Sequence, residues 1–161
     1  MPDYAGAIAA IKAQLVAGWV TGGNPTSVIV YANKQPAPPF PPINPATNNQ
    51  AAFLICEVVG SKSDIYSFGS AGNRFFEYFG LIILHAMVPI DDGTANAEQM
   101  AVNAAELFRT SVFYVDANGS YVRTGAPNPP DAGSTTPIEG VQAGNCFRVT
   151  CTIPFWYFHR A

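Results

Sequence analysis

From Phe75 to Arg109 the chain reads FFEYFGLIILHAMVPIDDGTANAEQMAVNAAELFR. The first half is apolar at nearly every position. In the second, Ala97, Met100, Ala101, Ala104, Ala105 and Phe108 make one apolar stripe. Spacings of three and four predict an amphipathic helix from about Thr94 to Thr110, with Glu98, Gln99, Asn103, Glu106 and Arg109 facing water. Asp91 and Asp92 fall at its positive end. The preceding run, Phe75–Val88, predicts a strand with Leu81, Ile83, His85 and Met87 on one side and Ile82, Leu84, Ala86 and Val88 on the other. A strand apolar on both sides requires cover on both faces. Helices supply one cover. The other comes either from a second layer within the chain or from a neighbouring subunit, and the pattern leaves both open.

The same reading extends to the rest of the chain. Tyr4, Ile8, Ile11, Leu15 and Trp19 form one stripe of a 3.6-residue period, capped by Asp3 and ended by Gly22-Gly23. Ser27–Tyr31 is a short β-branched strand. Six of the ten residues from Pro36 to Pro45 are proline, which excludes helix interior and central strand and predicts a stiff, extended strap. Ala51–Val59 is a strand with Leu54, Cys56 and Val58 on one face and Phe53, Ile55 and Glu57 on the other. The polar, Gly-rich stretch from Gly60 to Asn73 reads as a flexible connection between the arms of an extended hairpin. Asn118-Gly119 sits between two β-rich arms and predicts a type I′ hairpin turn. Ala126–Gly144 reads as a long loop. Asn145–Phe158 alternates, with Phe147, Val149, Cys151, Ile153 and Phe155 inward and Cys146, Arg148, Thr150 and Thr152 outward. Together these predict one α+β domain over residues 1–161: a mainly antiparallel sheet with two helices packed on one face.

Charge changes this picture. Only 12% of the 161 residues are charged, about half the usual share, so either neutral polar residues cover the surface or much of it is buried against partners. The net charge is −3 and the eight basic residues are scattered, which argues against counterion-driven nucleic-acid binding. The longest apolar run is too short for a membrane-spanning helix, and the start of the chain, with Asp3 and no basic stretch, does not read as a secretory signal. The three cysteines are expected to be reduced structural thiols made inside a cell, since Cys146 and Cys151 point to opposite sides of one strand.

A catalytic site should show converging titratable groups, and none is legible. His85 lies in the apolar strand and His159 is the third residue from the end of the sequence. No zinc-type spacing, Walker loop or dinucleotide fingerprint is present. Gly60-Ser-Lys-Ser-Asp64 lacks the final glycine of a nucleophile elbow. Glu57 and Glu77 are expected to approach across the hairpin as a solvated surface pair, with a catalytic carboxylate pair as the alternative. The expectation is therefore no catalytic residue, no cofactor and no metal, with a small hydrolase or ligand-binding domain as a remote alternative.

Several stretches together resemble a known family. An N-terminal helix, VIVYANKQPAPPF, a G-x-x-G-N-R-x-F-x-Y-x-G-L-I-I strand, a gap holding Asp-Gly, an Ala-rich helix ending in LFR and a terminal GNCFRVTCTIPFWY strand are similar to phage tail-terminator-like proteins. The resemblance follows element order along nearly the whole chain, through loose motifs. It implies a structural virion protein at the head-proximal end of a tail: a ring, usually hexameric, that stops tube polymerisation and offers a surface to the head or neck. The implied partners are copies of itself, the tail tube protein and a neck or head-completion protein, with no membrane and with DNA passing through the lumen without sequence-specific binding. A neck or head-completion connector is the alternative. Lys62, Tyr66, Phe68 and Arg74 on the hairpin, and Phe155, Trp156, Tyr157 and Phe158 at the aromatic end, are the expected interface residues.

Overall fold

The computed structural model describes residues 3–21, 28–32, 34–70, 72–90, 93–132 and 146–160. Among these residues two helices, α1 (Tyr4–Thr21) and α2 (Thr94–Glu106), accompany seven strands: β1 (Val28–Tyr31), β2 (Phe53–Ser67), β3 (Phe75–Pro89), β4 (Val112–Phe113), β5 (Tyr121–Thr124), β6 (Asp131–Ala132) and β7 (Cys146–Arg160). They form one sheet of order β1-β2-β3-β7-β5-β4, with β6 beside β7. Every pairing is antiparallel except that of β1 with β2. The fold class is α+β, as expected.

The long strands β2, β3 and β7 form its centre. β3 pairs residue for residue with β7 from Phe75↔Arg160 to Pro89↔Cys146. The even-numbered side of β3 (Ile82, Leu84, Ala86, Val88) joins Leu54, Cys56, Val149, Cys151, Ile153, Phe155 and Tyr157 in the main core. Ala7, Ile11, Leu15 and Trp19 of α1 and Ala97, Met100, Ala101, Ala104 and Ala105 of α2 belong to the same cluster, together with Phe108 just beyond α2. Asp3 caps α1 as its position suggests, accepting the Gly6 amide at 2.8 Å; Gly22, Gly23, Asp91 and Asp92 lie outside the described residues.

The odd-numbered side of β3 has a smaller cluster, Val30, Phe53, Ile55 and Met87, onto which Phe40 and Cys146 pack. Phe40 meets the Phe53 ring edge-on, with centroids 5.2 Å apart. The proline-rich strap is thus an intrachain second layer, but it covers only one end of that face. It is bent where uniform extension was expected: bends occupy 38–41, a turn occupies 45–47, and Ile43 bridges Gln50.

Three expectations are corrected. β2 does not stop at Val59; the ladder continues to Ser67↔Phe75 through bulges at Gly60/Lys62 and Ile65/Ser67. This arm showed no strand pattern because Val59 to Tyr66 are all exposed, and alternation appears only where one face is buried. The Asn118-Gly119 turn is not type I′, which needs positive φ at both residues; only Gly119, at +80°, has it. The Asp116 carboxylate instead accepts the amides of Asn118 and Ser120, both at 2.8 Å, and the Gly119 amide reaches the Asp116 carbonyl at 3.1 Å. Finally, the Ala126–Gly144 loop begins as an edge segment on β7: Asn128 donates to the Thr152 carbonyl, and Asp131 and Ala132 pair with Thr150 and Val149. Residues 133–145 lie outside the described set.

Candidate functional site

The end of the β2–β3 hairpin, from Val59 to Arg74, lies outside both core clusters and forms a finger whose loop passes the last β3–β7 pair, Phe75↔Arg160. Phe68 at its tip is 96% exposed, Tyr66 64% and Ile65 51%. The tip is held in place: Arg74 Nε donates to the Gly69 carbonyl at 3.0 Å, the Phe75 amide to Ser67 Oγ at 3.3 Å, and Arg160 to Asn73 Oδ1. Gly72 has φ of +82°, a left-handed conformation that favours glycine at this turn. Phe68 is therefore presented from an ordered loop, at low entropic cost for any partner. On the shaft, Lys62 pairs with Asp64 at 2.8 Å, which lifts the lysine above its ordinary pKa.

Tyr66 folds back to meet Phe158 edge-on at 4.9 Å, and Tyr121 of β5 stacks on the other side of Phe158 at 4.9 Å. The finger base is thus braced by three rings. Among the residues expected at an interface, the structure brings Lys62, Tyr66, Phe68, Arg74 and Phe158 to this end of the sheet. It does not bring Phe155 or Tyr157, which are 0% and 1% exposed in the main core. Adjacent strand residues face opposite ways, so four consecutive aromatics could not share one surface. Trp156 is half-buried on the opposite face, tilted against Phe79 with centroids 5.5 Å apart. Tyr121 was missed because its contact depends on the β5–β7 register, which has no local signature.

The open part of the second sheet face lies between the strap and the finger. Residues opposite one another share a face, and two rows span it: Glu57, Ile83 and Thr152, then Val59, Leu81 and Pro154. All are half-buried except Val59, which is 46% exposed. Glu57 makes no ion pair among the described residues and is the one carboxylate in these rows. It does not approach Glu77, since the register sets Glu57 against Ile83 and Glu77 against Asp64.

The titratable groups that sequence singled out are packed into the sheet. His85 is 8% exposed and shares a 2.8 Å hydrogen bond with Thr150 Oγ1. Burial, aided by the Arg148 charge, lowers its pKa to about 4. His159 is 3% exposed and stacked against Phe76, Tyr78 and Tyr157; burial lowers its pKa too. All three cysteines are free thiols, and burial raises Cys56 to about 12, far from the thiolate a nucleophile or ligand requires. Among the described residues no three His, Cys, Asp or Glu side chains gather as a metal site, and no helix is long and apolar enough to cross a membrane.

No protein-family model matches the chain, and no curated protein matches it. A solved structure, known by an identifier that states no function, is similar over 93% of this chain and 92% of its own at 21% identity, with a TM-score of 0.57. At that identity the likeness shows a shared fold and nothing further.

Proposed function

We propose that this chain is a structural subunit of a phage tail: a tail terminator that closes into a ring, hexameric by resemblance, on the head-proximal end of the tail tube. The observation that carries this reading is the hairpin end, with Phe68 almost wholly exposed in a loop held by the Arg74–Gly69 hydrogen bond. An aromatic ring this exposed is available for burial by a partner, and aromatic anchors of that kind dominate interfaces. The open rows of the second sheet face support the same reading, because the strap covers only the Phe53 end and leaves Val59, Leu81 and Ile83 incompletely covered.

Ring closure also accounts for the free strand edge. β1 pairs with β2 only from Phe53 to Cys56, so among the described residues the outer edge of β2 beyond Cys56 has no strand neighbour. Exposed edges invite further strand addition, and a closed ring ends it. The low charge suits interface cores, from which charged residues are depleted. In virions the protein would lie at the head end of the tail, against tube below and neck above.

The test is to mix purified protein with tail tubes and image the tube ends. A ring on one end of each tube, and shorter tubes when it is present during polymerisation, are the expected results. A protein that stays monomeric at high concentration and leaves tubes uncapped refutes the reading. Binding to isolated necks but not to tubes would instead favour a head-completion connector.

A further inference from the structure

We infer that the finger of one subunit docks on the open sheet face of the next copy, with Phe68 seated on Val59, Leu81, Ile83 and Pro154 and the Arg74 guanidinium reaching Glu57. This assigns the ring contact and rests on the ring reading above. The two surfaces match in chemistry. The donor is a 96% exposed phenyl ring with Arg74 exposed beside it. The acceptor is two half-open rows, aliphatic but for Glu57 and Thr152, and Glu57 has no ion-pair partner among the described residues. An apolar knob beside a cation thus faces an apolar patch holding one half-buried carboxylate, and burying that pair together at the contact favours a defined register.

The occupant is a second copy, because the finger cannot reach its own patch. Leu81 lies six positions from Phe75 along β3, and at the rise of an extended strand that separates the patch from the hairpin end by roughly 20 Å. The loop at the tip is pinned at Gly69 by Arg74 and at Asn73 by Arg160, and does not fold back that distance. Knob and patch are different surfaces of one molecule, so the contact is head-to-tail, the kind that generates rings when its rotation closes. Tyr66, Phe158 and Tyr121 then act as the brace that fixes the angle of the finger.

The experiment compares wild type, Phe68→Ala, Arg74→Glu, Glu57→Arg and the Arg74→Glu/Glu57→Arg double variant by native mass and sedimentation, each also mixed with tail tubes. Phe68 is exposed, so its variant folds; circular dichroism verifies folding for Glu57→Arg and for Arg74→Glu, which also gives up the bond to Gly69. The expected result is a ring for wild type and a rise of about tenfold or more in the dissociation concentration for each single variant, the size of a hot-spot truncation. The double variant regains part of the loss. Rings of undiminished stability from both Phe68→Ala and Arg74→Glu overturn the contact. Normal rings that no longer cap tubes also overturn it, placing the finger against the tube while the terminator reading stands. A monomeric wild type removes the ring and this contact together.

Discussion

His85 shows how one buried side chain ties the sheet to pH. Its neutral ring is 8% exposed and bonded to Thr150, and burial holds its pKa near 4 against an ordinary 6.5. Below pH 6.5 the unfolded chain takes up a proton that the folded chain refuses. Stability is therefore full above about 6.5 and falls as pH drops towards 4, by roughly 2–3 kcal/mol for this group. His159, also lowered by burial, acts in the same direction. Urea titrations at pH 7.5 and 4.5 should show the lower midpoint at 4.5, and His85→Gln should flatten the dependence. Gly80 makes a second residue-scale case. A Cβ there would meet Phe155 Cε1 and the Val59 carbonyl, each at 2.5 Å. Gly80→Ala should cost about 1–3 kcal/mol, read as a lower denaturation midpoint. That His85 lies packed in the sheet was legible, since it sits within an apolar strand. That Gly80 is a steric necessity was not, because its neighbours come from strands 21 and 75 residues away.

At the scale of elements, alternation was readable wherever one side of a strand met the core. The division of Leu54, Cys56, Phe53 and Ile55, of β3 and of β7 between two faces matches the two core clusters, but Cys146 and Arg148, expected outward, are covered on the second face. The outer half of β2 was missed for the complementary reason: with water on both sides its residues carry no period. The strap was recognisable as an element, since prolines forbid the alternatives, but not its attachment. Phe40 is the anchor. Its loss should uncover Phe53, Ile55 and Met87 and destabilise the protein by about 2 kcal/mol, below the usual cost of a fully buried phenylalanine because the ring is only half-buried. Thermal melts of Phe40→Ala, with limited proteolysis between residues 36 and 50, measure both the loss and the release of the strap.

For the whole molecule, finger and core are energetically separable. Neither core cluster contains any residue from Val59 to Arg74. Deleting Lys62–Gly72 leaves Gly60↔Gly80 as the last hairpin pair and should preserve cooperative unfolding, with Tm lowered by less than about 10 °C, while ring formation and tube capping are lost. Loss of the folded state on deletion would show that the brace around Phe158 is part of the core. Residue order alone determined the α+β class, the two helical stripes and the inward faces of the long strands, because each depends on a periodicity of hydrophobic positions and on backbone chemistry local to the segment. Only tertiary structure decided that Phe155 and Tyr157 are core, that Phe158 is braced by Tyr66 and Tyr121, and that the strap leaves part of one face open. Those outcomes depend on strand register and on the distance a covering segment reaches, and neither is encoded within any single stretch of chain.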